Sequence, residues 1–117
     1  MGYRSHVILA IKKDVLGKNL NKLGINYLSI KEEIDKILLC SSSYIVEKDW
    51  VLYEWINIKW YEKEYRGINW LVNLMKRIDQ KEYCFLRIGE GYDDTEELGN
   101  DENSPFDIGF RKEAYWN

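Results

Sequence analysis

The 117-residue sequence predicts one α+β domain, residues 1–117, in which a mixed or antiparallel sheet of four to five strands carries two helices on one face. Three observations predict it. An unbroken apolar run, Val7-Ile8-Leu9-Ala10-Ile11, reads as a central strand buried on both faces. Two segments repeat apolar residues at helical spacing, and others are rich in aromatic and β-branched residues at strand spacing.

Tyr3 to Ile11 is the first expected strand, ended by Lys12-Lys13-Asp14. Residues 14–28 hold Gly17, Gly24 and three Asn, and read as a loop with a short helical turn. Ser29 to Leu39 reads as a helix. Ser29 and Glu32 fit a capping box, in which each side chain satisfies a free backbone donor, and Ile30, Ile34, Ile37 and Leu38 form one apolar stripe. Lys31, Glu32, Glu33, Asp35 and Lys36 fall largely on the wet side, and Ser41-Ser42-Ser43 ends the helix.

Ser43 to Glu47 reads as a short strand and Trp50 to Tyr61 as a long one. Alternation places Trp50, Leu52, Ile56, Ile58 and Trp60 on a core face. Tyr53, Trp55, Asn57, Lys59 and Tyr61 then share a partly buried face. Gly67 to Ile78 is the second expected helix, through Ile68, Leu71, Val72, Met75 and Ile78. Glu82 to Glu90 reads as a strand, Gly91 to Pro105 as a polar acidic loop, and Phe106 to Ala114 as a last strand with Trp116 at the tail. This order fits a ferredoxin-like or related split β-α-β arrangement.

Composition bounds the function classes. A chain of this size buries roughly two thirds of its unfolded surface, enough for a core without metals or disulfides. The net charge of −3 is too mild for general nucleic-acid binding and for a dense acidic mimic of DNA. Five Trp, nine Tyr and three Phe exceed what such a core needs, which places some aromatics at a surface or interface. Cys40 and Cys84 lie in or beside apolar runs and read as buried free thiols, with no C-x-x-C pair for zinc or redox chemistry. The apolar run before Lys12 is too short for a signal peptide, and no stretch approaches the ~20 apolar residues of a membrane span. A protein that stays in the cytoplasm where it is made is expected.

Catalytic signatures fail. His6 is the single histidine, and Ser5 beside it points to the opposite face of a strand, so neither a triad nor a two-histidine site forms. His6 itself reads as a strand-end residue satisfied by a carboxylate or the backbone. No glycine-rich phosphate loop precedes Lys-Ser or Lys-Thr. No catalytic residue, metal site or cofactor is therefore assigned, and the chain is expected not to be an enzyme.

Two constellations remain as partner-binding candidates. Glu90, Asp93, Asp94, Glu96, Glu97, Asp101 and Glu102 crowd one segment with no Lys or Arg among them. This is a solvated loop or a recognition surface for a basic protein partner; the EF-hand spacing that would favour calcium is absent. Trp55, Lys59, Trp60 and Tyr61, with Arg66 and Arg87, pair aromatic rings with cations, as stacking on a base and contact with a phosphate require. The alternative is that basic stems cover exposed aromatic surface.

Met1-Gly2-Tyr3-Arg4-Ser5, the Lys59-Trp60-Tyr61 run, and Phe85-Leu86-Arg87-Ile88-Gly89-Glu90 followed by Tyr92-Asp93-Asp94-Thr95-Glu96-Glu97 resemble a family of small proteins encoded by tailed phages and prophages. The sequence departs from that pattern at Gly91, often acidic in the family, and at Thr95, often aliphatic. The family has no settled activity, so the resemblance implies no catalytic residue. It implies phage origin and, by association, an anti-defence role. The leading expectation is a non-catalytic, anti-CRISPR-type inhibitor. It would bind an RNA-guided nuclease through the acidic loop and the aromatic strand face. A first alternative is a homo-oligomeric sponge for a nucleotide immune signal, using Arg87, Lys59 and nearby aromatics at a subunit interface. A second is a phage structural or regulatory component.

Overall fold

The structure is a computed structural model and describes residues 4–23, 28–61, 64–90, 94–100, 102 and 104–106. Along the chain come β1 (Ser5–Lys12), α1 (Lys13–Asn21), α2 (Leu28–Leu39), β2 (Ser43–Glu47), β3 (Trp50–Ile58), α3 (Arg66–Arg77), β4 (Tyr83–Ile88) and β5 (Thr95–Gly99). The sheet order is β2-β3-β1-β4-β5 and every neighbouring pair is antiparallel. The first four strands of that order have the split β-α-β arrangement of ferredoxin-like folds, with the first crossover made by two helices, and β5 adds a strand beyond β4. The expected α+β class is the observed one, with the sheet five-stranded and antiparallel and, among the described residues, three α-helices where two were expected.

β1 sits in the middle because its residues cannot sit anywhere wetter. Val7, Leu9 and Ile11 face the helices and pack with Val51, Tyr53, Trp55 and Phe85 from the flanking strands. Leu16 of α1, Ile34 and Leu38 of α2, and Ile68, Leu71 and Met75 of α3 close this layer. Trp55 ties α2 to the sheet, its indole N–H donating to the Ile37 carbonyl at 2.7 Å. Gly67 lets α3 approach α2: a Cβ there would stand 2.5 Å from Ile37 Cδ1 and 3.2 Å from the Glu33 carbonyl carbon. Ile8 and Ala10 face the other way, and with Trp50, Leu52, Leu86 and Ile88 form a second buried cluster on which Phe106 packs.

Several expectations need correction. The loop expected over 14–28 contains α1, whose Val15, Leu16 and Leu20 turn one side to the core while the Asn19 amide donates to the Val15 carbonyl. Gly17 meets no packing atom, so it is tolerated in that helix as a propensity cost only. α2 begins at Leu28, which puts Ser29 inside the first turn and not at the capping position. β5 lies inside what read as an acidic loop. Of the expected last strand, only Phe106 belongs to the described residues. Cys40 is exposed and Cys84 half-buried, because α2 runs past the core at its end and leaves Leu39 85% exposed beside Cys40.

The face assignment in β3 fails at Tyr53 and Trp55 because the helices bury that face, and at Ile58 and Trp60 because of a bulge. β1 advances two residues from Ser5 to Val7 while β3 passes three, from Ile58 to Trp55. Asn57 takes up the extra residue at φ 71, a conformation asparagine tolerates. A one-residue bulge swaps every side chain after it to the opposite face. Ile56 is left 57% exposed, whereas Ile58 and Trp60 join Tyr53 and Trp55 on the helix side.

The β2–β3 hairpin turns through Lys48-Asp49, with Lys48 at φ 56. A left-handed lysine costs about 1–2 kcal/mol; glycine removes that steric cost, and the greater entropy of its unfolded chain cancels part of the gain. Lys48→Gly is expected to raise stability by about 0.5–1 kcal/mol, measured as a higher urea midpoint at unchanged slope. A second prediction concerns alkaline pH. Burial, then the neighbouring Tyr44 and Asp35, push the Tyr53 phenol from 10.0 up to about 12. Between those values the unfolded chain binds fewer protons than the folded one, so this contribution to stability is complete below pH 10 and is lost as pH rises through 12. Tyr53→Phe is expected to flatten the fall in melting temperature across that window.

Candidate functional site

The acidic segment is ordered by the cation that precedes it. Arg87 of β4 lies on the helix face, pairs with Val7 on one side and Glu96 on the other, and is 18% exposed. Its guanidinium grips Asp94 at both ends, Nη2 to Oδ1 at 2.7 Å and Nη1 to Oδ2 at 3.2 Å. Nη1 also reaches Ser5 Oγ at 3.3 Å, and Nε faces Glu96 Oε1 at 3.5 Å. The Asp94 hydrogen bond is the main cause that raises the guanidinium's pKa above its ordinary value. The Gly89 N–H donates to the Asp94 carbonyl at 2.7 Å, closing the hairpin into β5.

Arg87 is thus a clasp for the turn and not a cation presented to solvent. Of the acidic candidates, Asp94 is half-buried in that clasp, whereas Glu90, Glu96 and Glu97 are exposed. Asp93 lies outside the described residues. Glu96 and Glu97 point to opposite faces of β5, the outer strand of the sheet among the described residues. No three His, Cys, Asp or Glu side chains gather as a metal-binding set among the described residues.

On the opposite face, His6 Nε2 donates to Glu54 Oε2 at 2.7 Å, with the Glu54 side chain only 3% exposed. Glu54 is a carboxylate on the apolar side of β3, and His6 is its strand-end neighbour, as expected of this histidine. Ser5 Oγ and His6 are therefore committed to separate partners on separate faces.

The aromatic constellation comes apart. Trp55 is 1% and Trp60 8% exposed, ring centroids 5.7 Å apart, and Trp60 continues onto Phe85 at 5.7 Å. These rings are core and present no surface to a partner, a correction with two causes: the helices cover the face that Trp55 shares with Val51 and Tyr53, and the bulge turns Trp60 to the same side. The Trp60 indole N–H is buried with no hydrogen-bond partner among the described residues. Lys59 and Tyr61 stay half-buried at the boundary, Tyr61 stacked on Tyr65 with centroids 6.2 Å apart and planes at 6°.

Lys59 lines a concavity of about 320 Å³ between the ends of α2, α3 and β3, together with Arg4 and Lys36. Arg87 is not among its lining residues. Sequence reading missed Arg4 and Lys36 because neither adjoins an aromatic run; only the α2 wheel and the fold bring them to Lys59.

Removing the Arg87 clasp leaves Asp94 and Glu96 facing each other without their cation. Arg87→Ala is expected to cost about 2 kcal/mol in urea unfolding. Arg87→Lys is expected to recover less than half of it, because an ammonium cannot span both Asp94 oxygens. Comparison of the chain with protein-family models, curated proteins and solved structures returns no match.

Proposed function

We propose that the chain is a phage-encoded, non-catalytic inhibitor that sets its acidic outer strand against a basic nucleic-acid channel of a bacterial defence protein, an RNA-guided nuclease being the leading target. The observation that carries this reading is the exposure of Glu96 and Glu97 on an outer strand, with Glu90 exposed at the hairpin end. The Arg87–Asp94 clasp holds that strand in place, so its carboxylates meet a partner with little ordering cost. Carboxylates on a rigid edge steer and register a basic surface more than they supply raw affinity. The commitment of His6 to Glu54 and of Ser5 to Arg87 supports a binding role over a nucleophilic one. The resemblance to phage proteins supports the choice of target.

Compared with sequence reading, the proposed surface loses Trp55, Trp60 and Arg87 and keeps the acidic edge. The test is cleavage of target DNA by a panel of guide-loaded nucleases, with and without the chain. Cleavage by one effector is expected to stop, with inhibition weakening steeply between low and high salt. Glu96→Lys with Glu97→Lys is expected to raise the inhibitory concentration at least about tenfold, with a lower urea midpoint because Glu96 faces Arg87 Nε at 3.5 Å, while circular dichroism at assay conditions shows the variant folded. Undiminished inhibition by that double variant would exclude the acidic edge.

A further inference from the structure

The concavity holding Lys59 differs in chemistry from three other depressions among the described residues; one of these, about 400 Å³, also gathers three cations, Lys18, Lys22 and Arg77, but faces the Asp79 and Glu82 carboxylates. Another, about 630 Å³, is lined by Asp35, Tyr44 and Tyr53 and offers no cation. The one of about 410 Å³ shares Arg4 but faces the Glu90 carboxylate. The Lys59 concavity has an apolar floor of Ile37, Ile58 and Ile68, and three cations at its rim. Those cations come from three elements: Arg4 precedes β1, Lys36 is on α2, and Lys59 follows the β3 bulge.

The charge balance inside it is positive. Its single carboxylate, Glu33, is paired at 2.9 Å with Nε of the exposed Arg66, and the three rim cations outnumber it. Arg4, Lys36 and Lys59 have no ion pair among the described residues. The Arg4 guanidinium has only a 3.4 Å bond to the Asn57 carbonyl, the carbonyl of the bulge residue itself. Three like charges around one apolar hollow repel one another, a cost that an anion in the hollow removes. Tyr65 adds a ring at the rim, 40% exposed and braced flat by Tyr61. The floor is rigid, because Gly67 brings α2 and α3 into contact directly beneath it.

An apolar floor, an aromatic wall and convergent cations select a ligand with a planar body and a compact multiple anion. At about 320 Å³ the hollow is at the small end for organic ligands, which favours one ring system and one phosphate over a dinucleotide. We infer that this concavity binds a nucleoside monophosphate, the phosphate held by Arg4, Lys36 and Lys59 and the base laid on the isoleucine floor beside Tyr65. This site adjoins the acidic edge, since the Arg4 N–H donates to Glu90 Oε1 at 2.7 Å, but the proposal does not depend on the inhibitor reading.

Calorimetric titration of the full chain with adenosine and guanosine monophosphates, adenosine, and inorganic phosphate tests it. The monophosphates are expected to give saturable one-site binding. Adenosine alone and phosphate alone are expected to bind at least about tenfold more weakly, since each keeps half of the contacts. Methyl shifts on titration are expected at Ile37, Ile58 and Ile68. Lys36→Glu with Lys59→Glu is expected to weaken the monophosphate at least about tenfold, and the neutral pair Lys36→Ser with Lys59→Gln serves where charge reversal disturbs folding. Tyr65→Ala is expected to weaken the monophosphate but not free phosphate. Absent saturation, equal affinity for inorganic phosphate, methyl shifts elsewhere, or full binding by the lysine variants would each overturn the proposal.

Discussion

The fold depends on the desolvation of β1. Val7 through Ile11 are fully buried, and residues from two opposite faces of one strand can be so only if both faces are covered and both backbone edges are paired. β3 and β4 supply the edges. The three helices cover Val7, Leu9 and Ile11, and the second cluster with Phe106 closes over Ile8 and Ala10. Each such side chain contributes about 1.5–3 kcal/mol on burial, so no alternative register that exposes part of this strand competes. The outer strands β2 and β5 are free of that constraint. They are accordingly the wet ones, with Tyr44, Ile45 and Val46 exposed on β2 and the carboxylates on β5.

The buried polar side chains among the described residues, Ser5 and Glu54, lie towards one end of this sheet, where the central strands run out of core. There the two faces carry two ion pairs, His6–Glu54 on one and Arg87–Asp94 on the other. Both join residues far apart in the chain or across a hairpin turn, and both leave their partners satisfied. Glu90 and Glu96 take part in this end as well, Glu90 accepting from the Arg4 N–H at 2.7 Å and Glu96 facing Arg87 Nε at 3.5 Å, yet with Glu97 they stay exposed enough to meet a partner.

The bulge at Asn57 connects the sheet to the cationic hollow. Without it, Ile58 and Trp60 would follow Leu52 to the second face, as strict alternation predicts. With it, Trp60 completes a chain of rings from Tyr44 through Tyr53 and Trp55 to Phe85, which absorbs much of the aromatic surplus seen in the composition. Lys59 is turned towards the ends of α2 and α3, where Lys36 and Arg4 meet it.

Periodicity alone determined the element types that depend on local pattern: the double-faced run of β1, the stripes of α2 and α3, and the β2 strand, whose bounds Ser43–Glu47 match their expectation. The lone histidine also foretold its own satisfaction. What depended on pairing was not legible. α1 and β5 are built from glycine, asparagine and glutamate, whose propensities argue against helix and strand, and only packing on the core and pairing with β4 override them. The fate of Trp55, Trp60 and Arg87 was settled in three dimensions. A bulge changes which face a residue occupies, and a salt bridge depends on where a neighbouring strand places its carboxylate. The sequence showed that cations, rings and carboxylates were present; only the tertiary structure decided which were already partnered.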